Sequence, residues 1–166
     1  MEKDLHKIKQ LGKLKEDENY QFRAYLKGSP LPSKKIDELV HKFYREFSSQ
    51  IDCKECANCC KVLSTVVDEE DIEKLAKKMK ISSAEFDKTF IRFDKEWGEK
   101  ELKEMPCPFL EDNRCQYYEI RPKECASYPY LHKEHFTFRL LGVIENYSIC
   151  PIVFNVYEAL KNEIWH

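Results

Sequence analysis

Apolar residues recur at helical spacing along much of the chain. Ile36, Leu39, Val40, Phe43 and Phe47 fall on one stripe, which predicts a helix of about four turns with Ser33 as its N-cap. Ahead of it, Tyr20, Phe22, Tyr25 and Leu26 mark a segment from Glu16 to Lys27 that packs on the body and is ended by Gly28-Ser29-Pro30-Leu31-Pro32. Residues 1–50 therefore read as an N-terminal helical segment. Asp68 caps a further helix, with Asp71 in its first turn and Ile72, Leu75, Ala76 and Met79 on one face. Ser82 and Glu85 form a capping-box pattern that opens a third, whose Phe86, Phe90 and Phe93 are read as core.

The periodicity breaks between Met105 and Tyr130. Pro106, Pro108, Pro122 and Pro129, with the turn-like Glu111-Asp112-Asn113, exclude a long helix and predict loops and a small hairpin. Phe136 to Leu140 reads as an extended strand. Ile152, Val153, Val156, Tyr157, Leu160 and Ile164 then predict a terminal helix over 152–166, with Pro151 in its first turn.

Composition narrows the picture. At 166 residues and 42% hydrophobic content the chain suits one domain, 1–166, with a real core. The 28 Lys+Arg nearly cancel the 30 Asp+Glu, which argues against a nucleic-acid binder. No run of about eighteen apolar residues occurs, and the lysine-rich start lacks a signal-peptide pattern, so a cytoplasmic protein with no membrane partner is expected. In a reducing compartment, clustered thiols point to metal ligation or redox chemistry rather than to disulfides.

The eight cysteines carry the functional reading. Cys53, Cys56, Cys59 and Cys60 form C-x2-C-x2-C-C; the others are Cys107, Cys115, Cys125 and Cys150. Thiolates crowded at the first spacing repel one another, and a bound metal removes that penalty. Eight thiolates divide into two four-thiolate sites, the count used by structural zinc and by cubane iron–sulfur clusters. A C-x2-C pair chelates zinc, whereas a C-x2-C-x2-C triplet resembles an iron–sulfur run, as do the prolines after Cys107 and Cys150. The contiguous ferredoxin run C-x2-C-x2-C-x3-C needs a fourth cysteine with three residues between it and the third, and after Cys59 that position is Leu63. Zinc and an iron–sulfur cluster both stay open as the cofactor.

The ordered set of C-x2-C-x2-C-C, Pro106-Cys107-Pro108-Phe109-Leu110, Arg114-Cys115-Gln116-Tyr117-Tyr118, and Arg121-Pro122 with Cys125 and Tyr128-Pro129 resembles the CxxCxxCC family of zinc- or iron-chelating, YkgJ-type cysteine-cluster proteins. The resemblance covers about Ile51 to Pro151, a cysteine-cluster core, and implies metal chelation by the cysteines. Related clusters occur in flagellin lysine N-methylases. The chain departs from the family pattern at Ala126, where an arginine usually follows the cysteine.

His132 and His135 are three apart and are read as hydrogen-bonded surface or supporting residues, because eight thiolates already suffice; His41 is read as solvated, and His6 and His166 lie near the termini. Arg114 and Arg121 are read as neutralising a thiolate-rich site, and Tyr117, Tyr118, Tyr128 and Tyr130 as packing around it. No G-x-G-x-x-G, G-x-S-x-G or H-E-x-x-H occurs. The expected fold is mainly α with a small irregular cysteine-rich α+β element, its helices placed around metal-binding loops and a short hairpin. Three functions fit: a metal-binding protein, a metalloenzyme that modifies protein side chains, and a metal-stabilised module for a protein partner.

Overall fold

In chain order the computed structural model, which describes residues 1–165, contains helices α1 (Leu5–Leu14), α2 (Glu16–Gly28), α3 (Ser33–Ser48), α4 (Cys53–Cys56), α5 (Asn58–Val62), α6 (Glu69–Met79) and α7 (Ser83–Phe90). Strands β1 (Ile91–Asp94), β2 (Glu99–Leu102), β3 (Leu110–Glu111) and β4 (Arg114–Cys115) follow, then α8 (Lys123–Ser127), α9 (Leu140–Tyr147) and α10 (Pro151–Ile164). Short 3-10 turns stand at Tyr118–Ile120 and Phe136–Phe138. His166 lies outside the described residues. Among the described residues the protein is mainly α, as the patterning predicts, with two small antiparallel hairpins, of which β3–β4 lies in the segment expected to hold one. Among the described residues no single helix is long and apolar enough to cross a membrane; α9 and α10 form a pair bent by 116°.

The described residues divide into two units, one formed by 1–52 with 129–166 and the other by 53–128. In the first, α10 is buried on nearly every face, with Ile152, Val153, Val156, Tyr157 and Leu160 in the core, and packs on α3, α9 and α1. Asn155 on this helix stitches down the start of the chain: its Oδ1 accepts from the Glu2 N–H at 2.8 Å and its Nδ2 donates to the Glu2 carbonyl at 2.7 Å. Gly12 permits a close approach of α1, since a Cβ there would stand 2.5 Å from the Ser148 Cβ.

Three expectations are corrected. Pro32, not Ser33, occupies the cap position of α3, because its fixed φ and extended ψ end the preceding segment and its carbonyl accepts from Lys35 and Ile36; the Ser33 hydroxyl is buried inside the helix without a protein partner. Phe93 is 59% exposed on β1 rather than core on a helix. The Asp94 carboxylate accepts from the Glu96 and Trp97 N–H groups and Gly98 takes φ +69°, so turn chemistry ends the helical pattern and builds a hairpin. Phe136 to Leu140 is not a strand. The buried Asp37 carboxylate accepts from both His135 and Phe136 N–H, at 2.8 and 2.9 Å, with His135 left-handed at φ 59°, and the chain turns directly into α9.

The first unit also buries a charge network. Lys161, 1% exposed, donates to Glu18 Oε1 and Glu158 Oε1, both at 2.7 Å. Lys15 reaches the other oxygen of Glu158, and the Tyr147 hydroxyl donates to Glu158 at 2.9 Å. Burial pushes the Glu158 carboxyl up, but hydrogen bonds from Lys15 and Lys161 outweigh it and hold the group below its ordinary value. The contribution is therefore complete above the unfolded glutamate value of about 4.3 and is lost as pH falls through the lower folded value. Replacing Lys161 with methionine should cost about 2 to 3 kcal/mol, because Glu158 is left half-buried with one cation fewer. Urea unfolding at pH 7 measures the loss, and the gap between variant and wild type should shrink below pH 4.

Candidate metal centre

The second unit has an apolar core of Val67, Ile72, Leu75, Ala76, Phe86, Leu102 and Phe109, against which Cys107, Tyr117 and Ile120 pack. This core forms because α6 and α7 are well started. Asp68 and Asp71 complete a capping box on α6, and the Ser82 hydroxyl accepts from Glu85 N–H on α7. β2 is pinned from its other side by the Val67 N–H to Lys100 carbonyl bond and the Leu102 N–H to Thr65 carbonyl bond.

The cysteines are hung on this frame by local turns. Ala57, buried and left-handed at φ 47°, separates α4 from α5, so C-x2-C-x2-C-C is a bent run rather than one helix. α4 packs against β4, and the Asn113 side-chain amide donates to the Glu55 carbonyl. The Cys107 N–H donates to the Cys60 carbonyl at 2.8 Å, which joins the first cysteine run to the proline-rich segment. Asp112 and Asn113, at φ 46° and 64°, close the β3–β4 turn and set Cys115 opposite Leu110. Cys125 lies on α8 with its thiol donating to Thr65 Oγ1 at 3.3 Å. α8 is moored to the start of α6: the Lys123 N–H donates to the Asp71 carboxylate, and its ammonium bonds Asp68 at 2.7 Å and Glu70 at 2.6 Å.

Cys60, Cys107, Cys115 and Cys125 are close enough to sense one another's charge. A hydrogen bond from the Cys59 thiol, against the opposing effect of burial, holds Cys60 down to about 7, with Lys61 and Arg121 assisting. Burial pushes Cys107 up to about 11, and Cys60, Cys125 and Cys115 add to the rise. Burial also raises Cys115 and Cys125, each further raised by Cys60, while Arg121 opposes at both. The Arg121 guanidinium is fixed by donating to the Tyr118 carbonyl at 2.7 Å.

Cys53 is exposed, and Cys56 and Cys59 are half-buried. Cys150 belongs to the other unit, where it is buried at the start of α10 and its N–H donates to the Asn146 carbonyl. His132 and His135 are exposed in that same unit, and His41 is half-buried with its ring nitrogen 3.5 Å from the Lys133 carbonyl. Residues 53–128 contain no histidine, so imidazole cannot enter a site built within them. Among the described residues no three Cys, His, Asp or Glu side chains already stand near enough together to hold a metal ion. The donor set nevertheless fits one: four soft thiols with a fixed arginine beside them match zinc or iron in chemistry, and side-chain movement would have to bring them to a common point. Thr65 and Asn113 are contributors that spacing alone did not flag; Asn113 was visible only as a turn residue.

Comparison with known proteins agrees with the thiol chemistry. The family model CxxCxxCC, described as "Putative zinc- or iron-chelating domain", matches residues 52–141, more than half of the chain. The match includes seven of the cysteines and ends before Cys150. No curated protein and no solved structure matches the chain.

The thiol ordering makes a direct prediction for metal-free protein. Cys60 should lose its proton as pH rises through about 7, whereas Cys107 should hold its proton until about 11. Alkylation mapped by peptide mass spectrometry should therefore show Cys60 half-reactive near neutrality, with Cys107 silent below pH 9. Equal pH profiles at the two sites would contradict the arrangement.

Proposed function

The chain belongs to the CxxCxxCC family, and on that membership we propose that residues 53–128 form a thiolate metal centre whose nucleus is Cys60, Cys107, Cys115 and Cys125. The observation that carries this reading is the 2.8 Å bond from the Cys107 N–H to the Cys60 carbonyl, which ties the first cysteine run to the downstream cysteine segment within a unit that has no histidine. Cys53, Cys56 and Cys59 supply further thiolates from α4 and α5, and Cys150 is the eighth candidate. Zinc or iron at such a site replaces thiol protons and removes the repulsion that ionisation alone would create. Four thiolates close a tetrahedral zinc shell or hold a cubane cluster, and a closed shell suits a structural or electron-carrying role better than substrate activation. This chain's own residues contribute the restraint: Thr65 orients Cys125, Asn113 holds α4, and Arg121 offsets the negative charge.

Metal analysis of anaerobically purified protein tests the reading. Visible absorption with acid-labile sulfide assigns an iron–sulfur cluster; colourless protein with stoichiometric zinc assigns zinc. Cys107→Ser and Cys125→Ser should each weaken metal binding on the order of a hundredfold, since the binding energy of a structural site is spread over four ligands. His132→Gln and His135→Gln should keep wild-type stoichiometry, and Cys150→Ser decides whether the eighth cysteine is a ligand. Full metal content in both Cys107→Ser and Cys125→Ser would defeat the proposed nucleus.

Metal removal should have a local signature. The core of α6, α7 and the β1–β2 hairpin is apolar in its own right, whereas 53–65 and 105–128 are held mainly by turns and single hydrogen bonds. Amide exchange in the chelated protein should accelerate by at least about tenfold in those two segments and change little in α6.

A further inference from the structure

The Tyr118 ring is a junction between the two cysteine regions. The Arg121 guanidinium carbon lies 3.8 Å from its centroid and the Lys54 ammonium 4.5 Å. Lys54 lies between Cys53 and Cys56 on α4, the most exposed part of the cysteine run. Arg121 is the cation that acts on Cys60, Cys115 and Cys125. Tyr118 opens the 3-10 turn whose Ile120 packs into the core of the unit, so the ring is carried by a rigid part of the structure. The ring's negative face attracts both cations, which would otherwise repel each other.

On the metal-centre reading above, we propose that Tyr118 is a positioning residue: its ring clamps Lys54 and Arg121 together, joining the C-x2-C-x2-C-C run to the downstream cysteines and stationing two positive charges beside the site. Four thiolates around a divalent metal, or around a cubane cluster of charge two plus, carry two net negative charges, so cations held nearby are favoured, and Arg121 already acts on three of the thiols. A short helix with an exposed lysine and one exposed thiol gains from this contact a fixed relation to the core that its four residues cannot supply.

The test uses the full chain. Zn2+ affinity is measured by competition with a chromophoric chelator for wild type, Tyr118→Leu, Tyr118→Phe, Lys54→Gln and the Tyr118→Leu/Lys54→Gln double variant. Loss of the ring should weaken zinc binding about tenfold and loss of the lysine about threefold, while Tyr118→Phe, which keeps the ring, stays within about twofold. The double variant should bind no more weakly than Tyr118→Leu alone, because the lysine's contribution passes through the ring. Additive losses, or Lys54→Gln binding as tightly as wild type, would overturn the clamp; Lys54 is exposed, so that variant retains the core. In metal-free protein, Cys53 and Cys56 should be alkylated faster in Tyr118→Leu and at the wild-type rate in Tyr118→Phe, and equal rates in all three count against the proposal. Should wild type bind neither zinc nor iron, the metal-centre reading fails, and the alkylation comparison still decides the clamp.

Discussion

Like charge among gathered thiols is the constraint that shapes the unit of residues 53–128. Four thiols that sense one another cannot all ionise near neutrality, and the fold meets this by withholding ionisation: Cys107, Cys115 and Cys125 are desolvated and each is raised further by its neighbours. One site is exempted. Cys60 receives a hydrogen bond from Cys59 and has Lys61 and Arg121 nearby, so the first negative charge settles there. The result is a set of thiols of which three keep their protons near neutrality and one, Cys60, gives its proton up most readily. Left-handed Ala57, Asp112 and Asn113 set the turns that carry these cysteines, and α6, α7 and the β1–β2 hairpin bury an apolar core of their own.

The mooring of α8 shows how ordinary helix chemistry serves this arrangement. The acidic first turn of α6 satisfies its own N–H groups through Asp68 and Asp71, and the same carboxylates, with Glu70, take both the backbone and the side chain of Lys123. A capping device thereby fixes the helix that bears Cys125. These exposed pairs add little to global stability; their value lies in direction, since they decide where one thiol stands.

Much of this was legible in the chain. The stripe from Ile36 to Phe47, the Asp68 cap, the Glu111-Asp112-Asn113 turn and Pro151 at the head of α10 all sit where spacing places them, because each is set by residues within one or two turns of sequence. The departures arise where a distant group or a turn overrides local pattern. Phe93 keeps helical spacing with Phe86 and Phe90, yet Asp94 and Gly98 reverse the chain. Phe136-Thr137-Phe138 alternates like a strand, yet Asp37, about a hundred residues earlier, captures its N–H groups. The cysteine set was readable as a count and as a family motif. Its grouping was not, since the Cys107 to Cys60 and Cys125 to Thr65 bonds span 47 and 60 residues and leave no trace in spacing.

The order of the chain through the two units has a kinetic consequence. Residues 53–128 are continuous, so every partner needed for their core is available as soon as Tyr128 has been synthesised. The helical unit is split: α3 finds α10, its most extensive partner, only after more than a hundred intervening residues have been added. Closing so long a loop is entropically slow when the intervening chain is loose, and far less so when it has already collapsed into a unit whose ends are confined. During synthesis the continuous unit can therefore complete its core before α3 and α10 are able to meet.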